Sequence, residues 1–202
     1  MPLRPANARV LFDEAHGQAW TVRPEVAAAI QPSHPADSSY ARAAQALRER
    51  DLEVAVHEAG PLDPAALAGV DGLVIAHPSE PAWERVVPGG SPVLTGAELD
   101  AIEAFVRAGG GLVVLAEEEQ AKYGNNLAQL TQRFGIGIAN DVVSDYEHHR
   151  QAPHWILADL EHPRDGVDLL ARVEEACFYR ATTLEAGEGV RVLARTGPSA
   201  ST

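Results

Sequence analysis

Gly109-Gly110-Gly111 runs straight into Leu112-Val113-Val114-Leu115-Ala116, and then into Glu117-Glu118-Glu119. A glycine turn here feeds a short strand that is apolar at every position. Such a strand has to be covered on both faces, which is the situation of a parallel sheet in an open α/β fold. In sheets of that kind, chemistry sits beyond the carboxyl ends of the strands. Enzymes of this architecture place a nucleophile on the turn directly after such a strand. Ala116 stands there instead, followed by carboxylates.

The rest of the chain alternates in the same manner. Arg9–Phe12, Leu52–Val56 and Gly72–Ala76 are further buried strands. Ser38 or Ser39 opens a helix in which Tyr40, Ala43, Ala44 and Leu47 share one face. Asp63 caps a short helix with Pro64 at its first position. Thr95-Gly96-Ala97-Glu98 is a capping box, in which each side chain satisfies a free amide of the first turn. The helix it opens presents Leu99, Ile102, Phe105 and Val106 inward and ends at Gly109. Asn125 or Asn126 caps a helix with Leu127 and Leu130 inward, and Phe134–Ile138 is a further strand or turn. Val113 and Val114 are expected in the core. Trp20–Asp37, Ser79–Val93 and the His-rich Asp145–His162 read as loops. Cys177–Thr183 and Val190–Ala194 read as strands. The whole implies an α/β fold, a flavodoxin-like parallel sheet with helices on both faces and a weaker mixed C-terminal extension. One domain over 1–196 is expected, with its core at 9–157, its extension at 158–196 and a flexible tail at 197–202.

Composition removes several classes of function. Asp and Glu number 29 against 16 Lys and Arg, a net charge of −13. That surface repels nucleic acid phosphates and anionic lipid alike. Cys177 is the single cysteine, so no intrachain disulfide forms, and no zinc spacing occurs. Met1–Pro5 has no apolar segment of a secretory leader, and no apolar run reaches membrane-spanning length. A cytoplasmic acidic protein without a cofactor is the expectation.

Taken in order, several motifs resemble one family. They are Thr95 with Glu98, the helix to the triple glycine, the strand to Leu115, Asn126-Leu127, Phe134-Gly135-Ile136 and Asn140-Asp141-Val142-Val143. The chain is similar to the GIFT domain, shared by the intraflagellar-transport subunit 52 family and a gliding-motility transporter component. It also resembles the bacterial DUF4350 group, whose first strand ends in a polar Asp/His-Gly turn as Phe12-Asp13-Glu14-Ala15-His16-Gly17 does. The resemblance covers roughly 9–157 and continues weakly to 194. It implies a fold like that of class I glutamine amidotransferases without their Cys nucleophile, and a binding or assembly role. It implies no agreed catalytic set. Folds of that class continue past the equivalent of Val190–Ala194, so the resemblance implies part of a longer protein with its last strand at a sheet edge. An open edge there favours self-association, most simply a homodimer.

The candidate ligand-binding residues are Asp13, Glu14, His16 and Gln18 after the first strand, His77 after the third, Glu117 and Glu118 after the fourth, and Asn125. In a doubly wound sheet such loops emerge on one edge, so His16, His77 and Glu117 are expected to lie near one another. The leading reading is a non-catalytic domain that binds a partner protein or a small molecule. The alternative is a hydrolase using His16 with Asp13, Glu14 or Glu117, with or without a metal. The bland reading makes these charges loop and helix caps. Asp13-Glu14-Ala15-His16 spells a helicase box, but the Gly-Lys-Ser/Thr loop that box requires is absent. His148-His149 matches no zinc spacing. Cys177, between Ala176 and Phe178, reads as a buried thiol. Trp20, Trp83 and Trp155 read as covers for sheet edges or as partner anchors.

Overall fold

The computed structural model describes residues 8–162 and 167–202; the segment read for a leader lies outside them. The chain separates into two compact units, Met1–Leu115 with Lys122–Leu130, and Ala116–Ala121 with Thr131–Thr202. The division falls near the end of the triple-glycine strand.

The first unit contains β1 (Arg9–Asp13), α1 (Pro24–Ile30), α2 (Ala41–Arg48), β2 (Glu53–His57), β3 (Gly72–Ala76), α3 (Gly96–Arg107) and β4 (Gly111–Leu115), with α4 (Leu127–Gln132) following. Its sheet has the order β2-β1-β3-β4. Every pair is parallel, with Phe12 beside Val56 and Val74, and Val74 beside Val113. Side chains alternate across a strand. Phe12 and Val74 therefore face one way, into a cluster with Ala44, Tyr40, Leu47, Val54 and Val56. Leu11, Leu73 and Ile75 face the other way and are equally buried. The two central strands are covered on both faces, which is why they read as unbroken apolar runs.

The local signals account for the ends of these elements. Ser39 Oγ accepts the Ala41 amide at 3.1 Å just ahead of α2, but the N-cap is Tyr40, with no side-chain cap bond, and not Ser38 or Ser39. Asp63 Oδ1 accepts the Ala65 and Ala66 amides, but the segment it caps remains a turn. The Thr95 and Glu98 capping box forms in full. Gly109, at φ +105°, closes α3. Gly110 leaves room for Phe105, since a Cβ there would come within 2.3 Å of the ring.

Three expectations for this unit need correction. Trp20–Asp37 is not all loop: it holds α1 and a 3-10 turn at Pro35–Ser38. Pro24 at the first helical position and Glu25 in the first turn are start signals, outweighed in the reading by neighbouring Pro, His and Ser. Val113 is 50% exposed, because β4 is an edge strand and the α2 cover does not extend to it. Phe105, Val106 and Val114 are half-buried rather than buried.

The second unit contains β5 (Ile136–Ile138), β6 (Ser144–Asp145), β7 (Trp155–Leu160), β8 (Ala176–Tyr179), β9 (Leu184–Ala186), β10 (Ala194–Arg195) and β11 (Ala200–Ser201). All its ladders are antiparallel: β10-β7-β8, β11-β6 and β5-β9. The Asp145–His162 loop thus gives way to β6 and β7; Trp155, Ile156 and Leu157 were masked by the flanking histidines. The Val190–Ala194 strand shrinks to Ala194–Arg195, and the one starting at Cys177 becomes Ala176–Tyr179. The C-terminal segment expected as a flexible tail pairs Ala200 with Asp145 and Ser201 with Ser144. Cys177 is exposed, not buried, because β8 lies at the edge of its sheet.

Candidate functional site

The loop leaving β1 carries the densest group of buried polar side chains: Asp13, Glu14, His16, Gln18 and Thr21. The His16 ring lies between two carboxylates. Its Nδ1 is 3.0 and 2.9 Å from the two oxygens of Asp13, and its Nε2 is 2.9 Å from Glu98 Oε1. With a carboxylate facing each ring nitrogen, the charged imidazolium is the form of the ring in which both nitrogens donate. Burial works against that charge, but the hydrogen bonds and negative charges of Asp13 and Glu98 outweigh it and raise the pKa of His16 above 6.5.

Glu98 does two jobs. Its Oε2 accepts the Thr95 amide at 2.8 Å and the Thr95 hydroxyl at 2.7 Å, closing the start of α3. Its Oε1 accepts the Leu62 amide at 3.0 Å as well as His16. Burial opposes its charge, yet these donors and the imidazolium bring its pKa down to about 2. Asp13 also accepts the Ala15 amide and, at 2.6 Å, the Gln18 side-chain amide, while Gln18 Oε1 accepts the His16 backbone amide.

Glu14 points to a different set of donors. It accepts the Thr21 hydroxyl, the Val22 amide and Arg23 Nε at 2.7–2.8 Å. These bonds fix the chain just before α1. The bland reading of the charges describes this geometry well: every buried carboxylate after β1 closes a loop or a helix start.

His77 has its own partner. Its Nε2 lies 3.1 Å from Glu84 Oε2, and its ring meets Tyr123 edge-on at 4.4 Å. Its backbone is left-handed, at φ +42°, a costly conformation for a residue with a Cβ. The Ala19 amide donates to the His77 carbonyl, the Ser79 amide to Gly17 and the Val87 amide to Gln18. The loop after β1 is thereby laced to the loop after β3. Asn125 joins this lacing, donating to the Pro78 carbonyl at 2.6 Å and accepting the Leu127 amide.

Glu117 and Glu118 belong to the second unit. Both bind Arg180 there, Nε lying 3.3 Å from Glu117 Oε1 and 2.9 Å from Glu118 Oε1. Asp141 accepts Thr182 Oγ1 and the Thr183 amide beside them. Burial works to raise the pKa of Asp141, but those donors lower it. The three residues expected together thus have three separate sets of partners: Asp13 and Glu98 for His16, Glu84 for His77, and Arg180 for Glu117. Glu98 is the site residue that the sequence reading missed. It was seen only as a helix cap, and a capping carboxylate that is also buried has capacity for a second donor.

The space beside this network is small. A cavity of about 410 Å³ opens next to His16 and Glu98, walled by Gly60, Pro61, Gly89 and Gly90. A larger hollow of about 1020 Å³ in the second unit is lined by Ile136, Val143, Ile156, Phe178 and Val190. Among the described residues, no group of His, Cys, Asp and Glu side chains is arranged to hold a metal ion. Trp20 stacks on Tyr40, Trp155 packs on Tyr179, and Trp83 is exposed.

Comparison with solved structures finds matches to this fold. The chain is similar to the mmIFT52 N-terminal domain. The TM-score is 0.69, and the match covers 96% of this chain and 75% of that one. Identity to mmIFT52 is 17%, so the likeness is one of fold. No protein-family model matches the chain, and no curated protein matches its sequence. Among the described residues, no helix is long and apolar enough to cross a membrane.

The two pKa shifts predict a pH window. Glu98 contributes in full above its ordinary value of 4.5 and loses that contribution as pH falls toward about 2. His16 contributes in full below 6.5 and loses its contribution as pH rises through its raised folded value. Stability from the pair is therefore greatest between pH 4.5 and 6.5. In urea titrations across pH 3–9, His16→Gln should flatten the alkaline limb relative to wild type. An unchanged alkaline limb would show that His16 is not charged in the fold.

Proposed function

We propose that this chain is a non-catalytic protein-binding domain of the GIFT type, on a flavodoxin-like scaffold related to the class I glutamine amidotransferases. The observation that carries this reading is the engagement of both His16 ring nitrogens by carboxylates. A general base needs a free lone pair, and this imidazolium has none. Ala116 at the nucleophile position points the same way, as does the resemblance to the GIFT and DUF4350 groups. The strand order β2-β1-β3-β4 supports the flavodoxin-like scaffold. The likeness to mmIFT52 supports an assembly role, and the net charge of −13 favours a protein partner over nucleic acid or an anionic membrane. The working compartment is the cytoplasm.

The test is turnover. The purified chain, assayed from pH 5 to 9 with p-nitrophenyl esters and for ammonia release from glutamine and asparagine, is expected to match buffer. A rate that survives purification and disappears in a folded His16→Gln variant would establish the hydrolase reading instead.

A further inference from the structure

We propose that residues 167–175, between β7 and β8, are a strap that folds as a short helix and closes over the apolar hollow of the second unit. The inference goes beyond the reading above and uses none of the His16 network. The hollow, of about 1020 Å³, is walled by Ile136, Val143, Ile156, Phe178, Leu184 and Val190. Phe178 and Leu184 are exposed. A wall of this kind gains by burial under a further apolar element.

The strap carries the matching surface. Val167, Leu169 and Val173 are exposed large apolar residues. Leu169, Leu170 and Val173 fall at i, i+1 and i+4 and would share one face of a helix. Ala171, Arg172, Glu174 and Glu175 would take the other. The start of that helix is already built. Asp168 Oδ1 accepts the Leu170 amide at 2.8 Å, the bond an N-cap makes to the second helical residue. One turn on, the Val173 amide donates to the Leu170 carbonyl.

Two ties hold the strap in place. Arg191, a residue of the hollow's wall, donates from Nη2 to the Val167 carbonyl at 3.1 Å. At the other end, Arg150 Nη2 donates to Glu175 Oε2 at 3.0 Å. Turning the segment between these ties brings Leu169 and Val173 onto the wall and leaves Arg172 and Glu174 in solvent. The tie to Arg191 also decides the occupant. A segment fixed at the rim meets the hollow at an effective concentration that a separate molecule does not reach. The structure holds the strap open, and burial of two apolar surfaces in one unit drives it closed.

Thiol protection in the whole chain tests this, in a Cys177→Ala background. Leu169 and Tyr146 are 70% and 74% exposed, and Tyr146 lies outside both strap and hollow. Leu169→Cys should nevertheless react with Ellman's reagent at least tenfold more slowly than Tyr146→Cys. Adding Arg172→Pro, which breaks the helix, should restore the fast rate. A second readout needs no cysteine. Leu169→Asp/Val173→Asp, checked for folding by circular dichroism, should bind the apolar dye ANS with at least threefold brighter emission than wild type, because the hollow then stays open. Equal labelling of the two cysteines, or protection that survives Arg172→Pro, would overturn the proposal. So would dye emission unchanged by the aspartates. Protection that fades on dilution from 100 to 1 µM would assign the cover to a second copy and overturn it as well.

Discussion

Glu98→Ala is expected to lower the unfolding free energy by about 3 kcal/mol at pH 5.5, the scale of removing one partner from a buried charge pair. The carboxylate receives the Thr95 amide and hydroxyl, the Leu62 amide and His16 Nε2. Its removal strands a buried imidazolium with only Asp13 and leaves the Leu62 amide, itself buried, without an acceptor. Loss of the helix cap alone accounts for about 1 kcal/mol. The double variant Glu98→Ala/His16→Leu removes the stranded imidazolium but leaves the buried Asp13 carboxylate with only the Ala15 and Gln18 amides, so its stability relative to Glu98→Ala measures which of the two buried charges costs more. Urea titration of the three proteins measures this directly. A loss of only about 1 kcal/mol in the single variant would mean that the cap matters and the His16 contact does not.

Gly90→Ala is expected to cost about 3 kcal/mol, from an unfavourable backbone together with overpacking. Gly90 sits at φ +72°, and a Cβ there would fall 1.7 Å from the Ala15 carbonyl oxygen and 2.8 Å from its carbon. The obstacle is main chain, so no side chain can turn aside. The β1 loop or the 88–91 loop would have to shift, and the His16 network lies on the first of these. Gly89 provides the control. Its φ is +104°, yet nothing lies within 4 Å of its Cβ position. Gly89→Ala should therefore cost only the conformational part, about 1 kcal/mol. Equal effects at the two positions, read from denaturant midpoints, would refute the close approach.

Legibility in the sequence followed the range of the interactions. The parallel strands, the capping box and the stop at Gly109 each rest on contacts within a few residues, or on burial so complete that the apolar run itself is the record. Val113 went wrong because an edge position has the same local sequence as a central one. Cys177 went wrong for the same reason: apolar neighbours mark a strand but not its place in a sheet. Helix α1 was hidden by residues that usually make loops, although Pro24 and Glu25 announced it. At the site, the β1-loop residues stood out by type, but their partners did not. His16 and Glu98 are 82 positions apart, and no spacing rule joins them. The Ala19, Ser79 and Val87 amides, which tie the loop after β1 to the loop after β3, likewise join positions far apart in the sequence.

The position of β1 between β2 and β3 bears on how the chain comes off the ribosome. The first strand made is the middle of the sheet, and both its neighbours are complete by Ala76. Each later strand can add to an edge that already exists, so growth runs outward in the direction of synthesis. Glu98 emerges after those three strands. Until then, Asp13 is the only carboxylate serving the His16 ring, and the loop after β1 lacks the bond that ties it to α3. Closing that bond joins a helix start to a strand end while the sheet still has three strands, so a single charged side chain ties down the loop after β1 before β4, the last strand to be made, adds to the β3 edge.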